Sequence, residues 1–131
     1  MHRFLKPFFA LALMASLAVP AQAYRAAVVT SALTNTVVAV NPGYTNFSYM
    51  QCYNPAAAAS YVQVFNAIPG NVTLGTTVPA IIIPMGTLQA TNFAFADQGL
   101  TLPVAMSVAA TTTATGSTAP ATAVTCTFGY N

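Results

Sequence analysis

The chain has 131 residues, 56% hydrophobic and 3% charged, against about 25% charged in an average soluble domain. Its charged side chains are Arg3, Lys6, Arg25 and Asp97, and its one histidine is His2. So sparse a set excludes most acid–base catalysis, phosphate binding by basic clusters, and a surface kept apart from its own copies by charge.

The first elements form a leader. Residues 1–6 (MHRFLK) are basic, and residues 7–19 (PFFALALMASLAV) are an apolar run of secretory length. Pro20 interrupts it, and Ala21-Gln22-Ala23 has the small-x-small form that signal peptidase reads. A signal peptide over residues 1–23, cleaved between Ala23 and Tyr24, is therefore expected. A bilayer span needs about 20 continuous apolar residues, so no transmembrane anchor is expected. The product, residues 24–131, is expected to be secreted, periplasmic or on the cell surface.

Residues 24–131 read as one domain. Proline and glycine recur at short intervals: Pro42-Gly43, Pro69-Gly70, Gly75, Pro79, Pro84, Gly86, Gly99, Pro103, Gly116 and Pro120. Little room is left for a helix, and Val, Ile, Thr, Tyr and Phe between the breaks suit strands. The expected fold is an all-β, single small antiparallel β-sandwich, jelly-roll or Ig-like, of about eight short strands.

In chain order, residues 26–33 and 36–40 are two candidate strands. Residues 44–53 alternate, with Phe47, Tyr49, Gln51 and Tyr53 on one face and Ser48, Met50 and Cys52 on the other. Residues 54–59 connect, as a loop or one helical turn. Residues 61–67 follow, with Tyr61, Gln63 and Phe65 opposite Val62 and Val64. Residues 71–74, 80–83 and 88–95 come next, Phe93 and Phe95 sharing a side. Residues 100–109 carry Leu102, Val104, Met106 and Val108 at period two. Residues 109–121 are a flexible loop, or a strand end and a long turn. Residues 122–130 end the chain, with Val124, Cys126, Phe128 and Tyr130 on one face.

Cys52 and Cys126 are an even pair in an exported chain, so a disulfide is expected. It would join the third strand to the last, across the core. Closing so long a loop stabilises the fold by roughly 4 kcal/mol on the chain-entropy model.

Residues 24–131 hold no His, Glu, Lys or Trp. A Ser-His-Asp triad or a Cys-His dyad lacks its base. A glycosidase pair lacks its second carboxylate. Two thiols alone do not complete a zinc shell. No catalytic residue, metal site, cofactor or nucleic-acid partner is expected, and the chain reads as a non-enzyme. Asp97, in Ala96-Asp97-Gln98-Gly99, reads as a turn residue, with a cation site as the alternative. Tyr49, Gln51, Tyr53, Tyr61 and Gln63 form a candidate binding face, aromatic and amide-rich, suited to a neutral glycan. The competing reading is ordinary cross-strand pairing. With so little charge and few guards on its edges, the chain is expected to form a homo-oligomer or fibre.

Residues 61–67 (YVQVFNA), 72–79 (VTLGTTVP), Ile83-Pro84 and 110–120 (ATTTATGSTAP) carry a resemblance. They resemble small Thr/Ala-rich β proteins encoded in phages and bacterial genomes. That resemblance implies a compact β-sandwich with a virion or surface-structure role, and it transfers no functional residue. The alternating final strand, with Tyr130 next to last, also resembles pilin-type fibre subunits, although the early cysteine pair of such subunits is missing.

Overall fold

The computed structural model describes residues 25–96 and 98–131, with side chains described from residue 32 onward. The expected leader, the Ala23–Tyr24 cleavage junction and Asp97 lie outside the described residues.

Nine strands and one short 3-10 turn make up the regular structure of the described residues. The strands are β1 (Arg25–Leu33), β2 (Val38–Asn41), β3 (Thr45–Asn54), β4 (Ser60–Phe65), β5 (Ile81–Met85), β6 (Gln89–Ala94), β7 (Leu100–Leu102), β8 (Met106–Thr111) and β9 (Val124–Tyr130). They pair as nested antiparallel hairpins. β4 meets β5 and β3 meets β6, then β2 meets β8 and β1 meets β9. Successive nested pairs fall in alternate sheets. One sheet runs β1-β9-β3-β6, with β7 also on β3, and the other runs β2-β8-β4-β5. A long hairpin wound into two sheets in this order is a jelly roll. We call the first sheet A and the second sheet B.

β7 and β6 lie on the same side of β3. β7 pairs with Thr45–Phe47 and β6 with Tyr49–Asn54. Together they make one edge, broken between Phe95 and Leu100. Gly99 is required at this break. Its φ is +75°, and a Cβ there would stand 2.6 Å from the Phe47 carbonyl oxygen, a contact no other residue type accommodates.

Between the sheets, the core holds Leu33, Phe47, Met50, Cys52, Val62, Val64, Ile83, Met85, Leu102, Met106, Val108, Ala110, Val124, Cys126 and Phe128. Phe47 anchors it, edge-on to Phe95 at 5.5 Å and tilted against Phe128 at 6.1 Å. Phe93 and Phe95 do share a side, in T-shaped contact at 4.9 Å. These geometries suit the quadrupoles of the rings.

Several expectations need correction. The alternation read over residues 44–53 resets at Ser48, where the β3–β9 register shifts. Phe47 therefore shares the inward face with Met50 and Cys52, while Tyr49, Gln51 and Tyr53 turn outward. A bulge adds one residue and inverts the pattern beyond it. Residues 71–74 are not a strand. Pro69–Asn71 form the 3-10 turn, and the Asn71 N–H donates to the Ile68 carbonyl at 3.0 Å. Residues 100–109 are two strands in different sheets, because Pro103 ends β7 and the chain crosses to sheet B. Val104 is left exposed on that crossing. Residues 54–59 form no helical turn, and residues 109–121 are a strand end followed by a long connector.

The Cys52–Cys126 disulfide is present, with a sequence separation of 74. It does not cross the core. The two residues are direct partners on neighbouring strands of sheet A, with Cα atoms 4.1 Å apart, and both side chains face inward. A non-hydrogen-bonded antiparallel pair brings Cα atoms to about this distance. Among the described residues no helix is long and apolar enough to cross a membrane.

Candidate functional site

The two outer faces of the sandwich differ. Over sheet B, two long connectors fold back from opposite ends. Residues 66–80 join β4 to β5, and residues 112–123 join β8 to β9. They meet where Gly75 comes into reach of Ser117. Beneath them Gln63, Phe65, Ser107, Ala109 and Thr111 are fully buried, although they lie on the side of sheet B away from the main core. Their donors are tied to one another and to the cover, while the Gln63 Oε1 is buried without a partner among the described residues. The Gln63 Nε2 donates to Thr111 Oγ1 at 2.7 Å and to the Gly116 carbonyl at 3.0 Å. The Ser107 hydroxyl donates to the Ala67 carbonyl, and Thr111 Oγ1 donates to the Thr113 carbonyl. Asn35 Nδ2 fastens the same cover through the Ser117 carbonyl at 2.9 Å.

Among the described residues no connector crosses the outer face of sheet A. Tyr49, Gln51 and Tyr53 of β3 point outward in a row. Ala94, Asn92 and Ala90 of β6 flank them on one side, and Gly129, Thr127 and Thr125 of β9 on the other. The Tyr49 ring lies across Gly129, with its carbons in the space a Cβ at 129 would occupy. Glycine at 129 thus lets an aromatic ring cover the sheet surface, a known way of shielding a strand glycine. Tyr53 is 48% exposed. Two shallow hollows lie on either side of Gln51. One, of about 220 Å³, is bounded by Tyr53, Ala90, Thr125 and Thr127. The other, of about 310 Å³, is bounded by Tyr49, Asn92, Phe93 and Ala94.

Of the five residues expected to form one face, the structure brings Tyr49, Gln51 and Tyr53 together and separates Tyr61 and Gln63 from them. The link at residues 55–59 carries the chain from sheet A to sheet B, so β3 and β4 turn their outer faces in opposite directions. Gln63 is also closed from solvent by the connector around Gly116. Asn92, Thr125, Thr127 and Gly129 belong to the open face but do not stand out in the sequence. The signal for Asn92 is the alternation over Ala90-Thr91-Asn92-Phe93-Ala94, which turns Phe93 inward and sets Ala90, Asn92 and Ala94 outward.

The open face can offer a flat stacking surface, two free side-chain amides and hydroxyl groups. Among the described residues no side-chain hydrogen bond engages Gln51 or Asn92, and no cluster of three or more His, Cys, Asp or Glu could hold a metal. What fold and face define is a jelly-roll protein with one covered sheet and one open sheet whose strands β3, β6 and β9 carry no charged residue. Comparison with protein-family models, curated proteins and solved structures finds no match.

Proposed function

We propose that the chain is an exported, non-enzymatic jelly-roll subunit that associates with its own copies as a structural or surface component. The open outer face of sheet A carries this reading. A sheet face of Tyr, Gln, Asn, Thr and Ala from β3, β6 and β9, strands with no charged residue, has little to keep copies apart. The jelly roll serves both assembly and ligand binding in other proteins, so the reading rests on the face and not on the fold. Light scattering of the exported product across a range of concentrations tests it. Association that grows with concentration, weakened by Gln51→Lys or Thr127→Lys, is the expected result. A monomer at every concentration overturns it.

The placement of Tyr49 over Gly129 favours a second reading, a platform for a neutral glycan. One side of the ring is seated on the sheet, and the amides of Gln51 and Asn92 stand next to it. Glycan-array binding by the exported product, lost in Tyr49→Ala and Tyr53→Ala, is the outcome this reading requires.

A further inference from the structure

Among the described residues, each sheet ends in strands whose outer backbone groups have no partner strand. Natural β proteins protect such edges with proline, charge, irregularity or short length. Three of the four edges here carry such a device. β5 has Pro84 at an exposed position in mid-strand, which removes a donor. β2 is four residues long and shifts register between Ala39 and Asn41. β1 opens on Arg25 and shifts register between Val29 and Leu33. β6 is the exception. Its six residues pair with β3 without a register shift, and they include no proline and no charge.

The direction of the free groups on β6 is fixed by its neighbours. The Phe95 N–H donates to the Ser48 carbonyl at 2.9 Å. In an antiparallel strand backbone groups alternate between the two sides, so Thr91 and Phe93 also turn theirs toward β3. Ala90, Asn92 and Ala94 turn theirs away. Their side chains lie outward on the open face of sheet A and are exposed, and two of the three are methyl groups.

We propose that β6 pairs with β6 of a second copy, antiparallel and centred on Asn92. The sequence of this edge is its own complement. With Asn92 opposite its counterpart, Ala90 faces Ala94 of the second copy, and Ala94 faces Ala90. Every outward N–H then meets an outward carbonyl, giving about six backbone hydrogen bonds across the two-fold axis. Methyl groups opposite methyl groups leave no steric obstacle, and two amides opposite one another are a compatible cross-strand pair. Thr91 of each copy comes opposite Phe93 of the other. Phe93 is only partly buried where sheets A and B end, so the pairing covers it. A neutral edge offers nothing to a charged partner, whereas a second copy matches it in register and in charge. The result is one sheet continuous through both copies, with their two open faces side by side.

This inference rests on the reading of the chain as self-associating and adds one contact, at the edge of the open face. It is tested with the exported product by light scattering and by amide hydrogen exchange. Asn92→Pro removes an outward N–H that β3 does not use. The double variant Ala90→Lys/Ala94→Lys sets lysines opposite lysines across the axis and keeps every N–H. The expected result is an about twofold drop in molar mass in both variants, with the far-UV spectrum unchanged. The amides of Ala90, Asn92 and Ala94 are protected in the wild type at high concentration and lose that protection on dilution. If Asn92→Pro does not fold, the lysine variant and the exchange pattern decide. An oligomer of unchanged mass in the lysine variant, with these amides unprotected, overturns the edge pairing and leaves self-association standing. A wild type that stays monomeric throughout overturns both.

Discussion

The two sheets of this sandwich have similar inner faces and very different outer ones. The two central strands of sheet B are buried on both sides: every residue of β8 and all but Tyr61 of β4 are buried. Residues 66–80 and 112–123 act as a third layer over it. Sheet A is buried on one side, and β6 alternates between exposed and half-buried residues. A sheet face dressed in Thr, Ala and Gln can thus be either interior or surface. What decides is whether a connector is long enough to return across it. Sheet B has two such connectors. On sheet A the links are short or, at residues 55–59 and 103–105, pass directly to the other sheet.

The comparison is broken most strongly by removing what the cover holds down. Phe65 is fully buried outside the main core cluster, beneath the connectors. Phe65→Ala is expected to cost about 3–5 kcal/mol, the range for a buried phenylalanine. Chemical denaturation measures it, and a loss below about 1 kcal/mol would mean that the connectors form no packed layer. Next comes the Cys52–Cys126 bond. Its removal in Cys52→Ser/Cys126→Ser is expected to destabilise by about 2–5 kcal/mol, because the closed loop is long. That loop runs from β3 to β9 and contains both connectors, so their order depends on the bond too. The midpoint of thermal unfolding with and without reductant reads the effect, and mass spectrometry in the same two conditions confirms the bond.

Much of the sandwich is legible in the sequence, and the rest is lost for definable reasons. The Val124, Cys126, Phe128 alternation reads directly as the inward face of β9, because one uninterrupted strand obeys period two. The same rule fails over residues 44–53, where one extra residue at Ser48 inverts everything after it and no residue type announces a bulge. It fails again at Val104, because a proline that stops a strand also sends the chain to the other sheet. Gln63 is the clearest loss. Nothing around it distinguishes it from Gln51, since its burial comes from residues some fifty positions later.

A smaller effect isolates the open face. Gly129→Ala puts a methyl group where the Tyr49 ring lies, so the ring must swing off the sheet. Removing a strand glycine gains about 0.5–1 kcal/mol in the unfolded chain, which offsets part of the lost ring contact. A net change within about 1 kcal/mol is expected, together with an altered near-UV tyrosine signal. An unchanged signal would mean the ring does not rest there.

The smallest expected effect gives the sharpest contrast, because one substitution can be made on both faces. Gln63 and Gln51 are both outward glutamines near the middle of a strand. At Gln63, replacement by threonine breaks the bonds to Thr111 and Gly116 and leaves a gap beneath the cover. A buried acceptor without its donor costs about 1–3 kcal/mol. At Gln51 the side chain is exposed and bonds to nothing among the described residues, and threonine suits a strand surface as well or better. Gln51→Thr should therefore change unfolding stability by no more than about 0.5 kcal/mol. If the two variants lose equal stability, the open face is packed in solution, either by another copy or by the chain itself. Repeating the pair across protein concentrations then separates the cases: a loss at Gln51 that disappears on dilution comes from another copy, and one that persists comes from the chain itself.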